Sequence, residues 1–89
     1  MALALYKFVG GEEVLAKEVK SDDTTIVIDD CVTLVYHQSE KGVSVGFAPF
    51  MPQSEGKITI FKNTISAIAE PNDQMVREHT RIFSGIVLA

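Results

Sequence analysis

The sequence predicts a mainly β chain: a strongly bent five-stranded antiparallel barrel over residues 3–70, followed by a C-terminal α-helix over residues 72–84, the whole forming one domain of 89 residues. Three observations predict it. The pair Gly10-Gly11 separates two β-leaning runs and is able to supply the positive φ angles of a tight hairpin. A long apolar run is interrupted at Asp29-Asp30, as in one strand with a kink. After Pro71 the apolar period changes from two to three and four, as at the start of a helix.

Taken in order, Leu3 to Val9 is the first strand and Glu12 to Val19 the second. Val14 and Ala16 alternate inward, whereas Leu15 breaks the pattern and predicts a bulge or a second buried face. Ser21-Asp22-Asp23 is a turn, because Ser and Asp side chains bond nearby backbone amides. Thr24 to Tyr36 is the kinked third strand, and His37 to Gly42, polar and ending in glycine, is expected to be a hairpin loop. Val43 to Phe50 is the fourth strand. Its Gly46 predicts close backbone approach or a bend, and Pro49 and Pro52 place it at a sheet edge, because proline cannot donate to a ladder. Met51 to Gly56 is a connecting loop.

The next stretch, Gly56 to Pro71, is the most specific in the chain. Ile58 and Ile60, then Ile65, Ala67 and Ala69, keep a period of two, and Lys62-Asn63-Thr64 breaks them with a polar kink that presents Lys62 and Asn63 outward. Beyond Pro71, Asn72 is the expected N-cap and Met75, Val76, His79, Ile82 and Phe83 recur at helical spacing. Asp73–Arg77 and Glu78–Arg81 are spaced as helical ion pairs, and Gly85 is a stop signal.

Phe61-Lys62-Asn63-Thr64-Ile65-Ser66-Ala67-Ile68 closely resembles the second Sm signature as Hfq-type bacterial proteins write it, Tyr-Lys-His-Ala-Ile-Ser-Thr-Val, with a proline shortly after. Gly11, Val14, Ala16 (where the family prefers glycine) and Asp22 resemble the first Sm signature. Phe-Val-Gly-Gly-Glu-Glu-Val-Leu-Ala-Lys near the start and Pro-Phe-Met-Pro in the middle are similar to small Sm-like proteins of tailed marine phages, in which the helix follows the barrel. The resemblance implies an Sm-like (LSm, SH3-like) barrel that assembles as a homo-oligomeric ring of about five to seven subunits by strand pairing between neighbours. It places Val45, Phe47, Ile65, Ala67 and Ile68 at the subunit interface. It also implies single-stranded RNA binding at the pore-facing bend: Lys62 matches the family's pore lysine, Phe61 its tyrosine and Asn63 its histidine. The family's third-loop stacking aromatic has no counterpart among Asp22, Asp23, Thr24 and Thr25.

Composition bounds the alternatives. A chain this short buries roughly 60–65% of its unfolded surface, yet 46% of residues are hydrophobic, so self-association is a natural outlet. A net charge of −4 argues against an all-over electrostatic grip on nucleic acid and leaves room for a local basic patch. The lone Cys31 fits a reducing compartment, no apolar run approaches a membrane span, and the start reads as no signal peptide, so the expected location is the cytoplasm, that of the host if the chain is phage-encoded. Cys31, His37 and His79 lack the orienting group and oxyanion motif of a nucleophilic site and match no zinc spacing. Adjacent acids in Glu12-Glu13, Asp22-Asp23 and Asp29-Asp30 point to opposite faces rather than sharing a proton. The expectation is a non-enzymatic protein with no cofactor or metal. Two functions are open: an RNA-binding ring, or a ring or assembly module that binds protein through the helix face Val76, His79 and Phe83 or through Phe47-Pro49-Phe50-Met51-Pro52.

Overall fold

The computed structural model describes residues 2–84, and the stop signal expected at Gly85 lies outside them. The strands are β1 (Leu3–Phe8), β2 (Glu13–Ser21), β3 (Thr25–Ser39), β4 (Gly42–Pro49), β5 (Ile58–Phe61) and β6 (Ile65–Ala69), and the α-helix among the described residues is α1 (Asp73–Phe83). All pairings are antiparallel, in the order β4-β3-β2-β1-β6, and β5 joins the sheet by pairing with β3.

Two features correct the expected five-stranded barrel. Among the described residues the strands number six, because the runs on either side of Lys62-Asn63-Thr64 are separate strands: after residues 50–57 leave the sheet, β5 pairs with the first half of β3, from Thr25 to Ile28, and β6 with β1. The sheet is not a closed barrel: β5 lies on β3 and β6 on β1, and a single turn of 3-10 helix, Lys62–Thr64, spans the gap between them without a ladder.

The bent strands follow the sequence. β3 runs unbroken through Asp29-Asp30, where Asp30 takes φ 51° and two residues of β3, Asp30 and Cys31, oppose the one residue of β2, Ala16, between the pairs Leu15–Val32 and Lys17–Asp29. Asp tolerates this left-handed conformation better than most residues, and the extra residue bends the strand. The bulge moves the inward face of β3. Before it, Ile26 and Ile28 face a core with Tyr6, Phe8, Val14, Ala16 and Ile60; after it, Val32 and Leu34 face a second cluster with Leu15 and Met75. Val14, Leu15 and Ala16 are therefore all fully buried, because β2 is covered on both faces. Leu15 marks both alternatives that its position allowed, a bulge and a second buried face.

α1 covers the second face. The Asn72 side chain accepts a hydrogen bond from the Met75 amide at 2.9 Å, which is an N-cap at the expected residue. Met75 and His79 point into the sheet, while Arg81 bonds Glu78 at 2.7 Å on the exposed side. Among the described residues the expected Asp73–Arg77 pair is not within ion-pair distance.

The turns differ from expectation in detail. The β1–β2 connection is four residues long rather than two, with positive φ at Gly11 and not at Gly10. The segment from His37 onward is strand, not loop: β3 continues to Ser39, opposite Gly42, leaving Glu40-Lys41 as the turn. Its polarity reflects an arm exposed on both faces. Nothing crowds Gly46, whose nearest neighbour is the His37 ring at ordinary contact distance.

Candidate nucleic-acid interface

The turn before β3 is built by one carboxylate. Asp22 Oδ1 accepts hydrogen bonds from the Thr24 amide at 2.9 Å, the Thr25 amide at 2.7 Å and the Thr25 hydroxyl at 3.0 Å. The Asp22 amide donates back to the Thr25 carbonyl at 2.9 Å. These donors, the Thr24 amide foremost, favour the charged form and hold the Asp22 carboxyl below its usual range. With its neighbour committed to the backbone, Asp23 stands at the tip of the turn.

The bend after β5 is fastened to this turn. Phe61 pairs with Thr25 across the ladder, and the Lys62 amide donates to the Thr24 carbonyl at 2.8 Å. On the bend's far side the Thr64 hydroxyl donates to the Phe61 carbonyl at 2.6 Å, and the Thr64 carbonyl accepts from the Val9 amide at 2.8 Å. The backbone of Lys62–Thr64 is thus tied to the start of β3 and to the end of β1, while its side chains are exposed.

The two pieces enclose a cavity of about 180 Å³ lined by Asp23, Thr24, Phe61, Lys62 and Asn63. Phe61 is 57% exposed, an unusual position for a phenyl ring. Among the described residues no hydrogen bond or ion pair engages the side chains of Asp23, Lys62 or Asn63. Lys62 also borders a second, shallow cavity of about 470 Å³ lined by Ile65, Ser66, Ala67 and Ile68. One small concavity therefore offers a ring face, an ammonium, an amide and a carboxylate.

Phe61, Lys62 and Asn63, consecutive in the sequence, line one cavity, and the structure adds Asp23 and Thr24 to it. The signal for these two is the Asp22-Asp23-Thr24-Thr25 turn chemistry. Of the interface residues expected from the resemblance, Val45 and Phe47 lie on β4 and Ile65, Ala67 and Ile68 on β6, at the two ends of the strand order, so one chain does not unite them. Ala67 and Ala69, expected to be half-buried, are exposed. Of the helix face Val76, His79 and Phe83, His79 turns inward: it is 1% exposed, donates through Nε2 to the Asp30 carbonyl and meets the Phe83 ring at a tilt, whereas Val76 and Phe83 are exposed. Phe50 is likewise engaged, stacking on Phe8 with ring centroids 5.8 Å apart.

Cys31 is half-buried on β3, and burial, with Asp29 and Asp30 nearby, pushes its thiol up to about 11, away from the reactive range. Among the described residues no three His, Cys, Asp or Glu side chains are grouped to hold a metal ion. No described helix is long and apolar enough to cross a membrane. No family model matches the chain, and no curated protein matches it.

Proposed function

We propose that this chain is an Sm-like, ring-forming protein that binds single-stranded RNA through the bend at Phe61, Lys62 and Asn63. The observation that carries the reading is the cavity that these three residues line; among the described residues no hydrogen bond or ion pair engages the Lys62 and Asn63 side chains, and the bend is tied by a backbone bond to the turn at Asp22–Thr25. Lys62 supplies a charge for phosphate, and the exposed Phe61 face supplies stacking, worth about 1–3 kcal/mol per base. The phenyl ring thus supplies, from the bend itself, an aromatic that the third-loop turn lacks. In a ring of about five to seven copies the Lys62 ammonium groups would be repeated around one axis, which compensates for the acidic remainder of the surface. The test is binding of short U-rich and A-rich RNAs, followed by fluorescence anisotropy at several salt concentrations. Lys62→Ala is expected to abolish binding, and Phe61→Ala to weaken it at every salt concentration. Equal binding by Lys62→Ala and the unmodified protein would refute the reading.

A second reading is favoured by a separate observation: among the described residues the outer edges of β4 and β6 carry no partner strand, and Val45 on β4 and Ile68 on β6 are 39% and 57% exposed. Such edges invite pairing. On this reading the chain is a non-enzymatic assembly module whose partners are copies of itself or other proteins, and it associates without RNA.

A further inference from the structure

The cavity at the bend contains a group that phosphate binding does not call for. Asp23 lines this cavity with Phe61, Lys62 and Asn63, and among the described residues no donor engages its carboxylate, in contrast to Asp22, whose Oδ1 is saturated by the turn. An unpaired carboxylate in a pocket for a polyanion works against binding unless the ligand brings donors to it. The pocket is also small. At about 180 Å³ it lies well below the usual range of roughly 300–1,000 Å³ for whole-ligand sites, which fits one planar base rather than an entire nucleotide.

A carboxylate accepts and cannot donate, through two oxygens side by side. Guanine is the base that answers this, because N1–H and the 2-amino group are adjacent donors on its Watson–Crick edge. Adenine and cytosine each set an amino donor beside a ring-nitrogen acceptor, and uracil sets N3–H between two carbonyls, so each turns at least one acceptor toward the carboxylate. Unpaired bases in single-stranded RNA are read on that edge while stacked on an aromatic face.

We propose that Asp23 is a specificity-determining residue that selects guanine in single-stranded RNA, with Phe61 stacking the base and Asn63 able to donate to O6. The inference rests on the RNA reading of the same bend. It assigns Lys62 to affinity and Asp23 to the choice of base.

The experiment measures anisotropy of labelled oligouridine hexamers at low salt, with one central position carrying uracil, adenine, hypoxanthine or guanine. Guanine is expected to bind about tenfold tighter than uracil, the scale of a hydrogen bond to a charged group. Hypoxanthine, which lacks the 2-amino donor, should fall between them. Asp23→Asn converts one acceptor to a donor at an exposed site. It should erase the guanine preference, so that the guanine-containing and all-uridine hexamers bind the variant equally. If oligouridine binds through Lys62 but guanine gains nothing, or if the preference survives Asp23→Asn, the selectivity is refuted and the RNA reading stands. If no hexamer binds, both are refuted. GMP as competitor distinguishes the sources of guanine: displacement at the hexamer's own Kd would assign the pocket to the free nucleotide and overturn the strand assignment.

Discussion

The His79 ring nitrogen Nε2 donates to the backbone carbonyl of Asp30 at 2.7 Å, joining the helix to the one described non-glycine residue with positive φ. The bulge that bends β3 and the helix that covers the second core are therefore a single construction. His79 is 1% exposed, and Phe83 packs on its ring at 4.5 Å between centroids. His79→Ala removes the donor, leaves the Asp30 carbonyl facing a void and undercuts Phe83. The expected loss is about 2–4 kcal/mol in urea unfolding, from the cavity and the orphaned acceptor together. A loss below about 0.5 kcal/mol would mean that the helix is held by Met75 alone.

Tyr6 is the opposite case. Its side chain is fully buried, yet among the described residues its hydroxyl has no hydrogen-bond partner. Burial, then the charges of Glu18 and Cys31, pushes its ionisation up to about 12. Tyr6→Phe should be neutral or stabilising by up to about 1 kcal/mol at pH 7, since it removes an unpaired polar atom and keeps the ring. The sign at alkaline pH follows from a folded pKa above the ordinary 10.0: stability is complete below pH 10 and falls as pH rises toward 12. The Phe variant should lack that loss in urea titrations at pH 9 and pH 11.5, and equal losses in both proteins would place its origin elsewhere.

The opposed outcomes at His79 and Tyr6 also show where sequence reasoning reaches and where it stops. The long kinked β3, the cap at Asn72 and the outward bend at Lys62-Asn63 are legible because each depends on local chemistry: a turn-forming Asp pair, an Asn side chain that bonds an amide, and a polar break in a period of two. Helical spacing puts His79 on a stripe but does not name its partner; the partner is a carbonyl exposed only when the bulge forms. Polarity at residues 37–42 predicts a loop because it marks solvent on both faces of a strand as readily as it marks a turn. Strand closure is not legible at all, since it depends on which of β1 and β3 each half of the bend meets.

Cys31 tests burial at the bulge directly. With its thiol raised from 9.0 to about 11, the thiolate at pH 8 is roughly a hundredfold scarcer than in the unfolded chain. Iodoacetamide should therefore alkylate the folded protein at least a hundredfold more slowly than the urea-unfolded protein, as followed by intact mass. Folding stability that depends on this group is complete below pH 9 and declines as pH rises toward 11. Comparable rates in both states would show that the segment at Asp29–Cys31 opens freely.

Asp22 gives the acid counterpart. Its carboxyl is held low by the Thr24 and Thr25 amides, so its contribution is present above the ordinary carboxylate pKa and is lost as pH falls through the lowered value. Asp22→Ala should lower Tm at pH 7, and the difference from the unmodified protein should shrink toward zero near pH 2. Because the turn sets Asp23 in the cavity with Phe61, the same variant should reduce the guanine preference without touching Lys62. A Tm difference that stays constant with pH would refute the charge-based account of the turn.

The two open edges lead to a prediction in which folding and assembly part company. Ile65 packs against the first core, whereas Ile68 is 57% exposed on the unpaired side of β6, three residues further on. Charge at Ile65 would have to be buried, so Ile65→Asp should unfold the protein or cost more than about 2 kcal/mol. Charge at Ile68 costs a single folded chain little, in the range of about 0.5 kcal/mol expected for an exposed site. If copies associate by pairing the outer edge of β6 with that of β4, Ile68 is covered only in the assembly, and Ile68→Asp should yield a folded monomer with nearly unchanged Tm. Light scattering at micromolar concentration should then report a multimer for the unmodified chain and a monomer for the variant. An unmodified chain that is monomeric at that concentration, or an Ile68→Asp variant that remains multimeric, would remove edge pairing as the mode of assembly and with it the repetition of Lys62 on which the RNA reading draws.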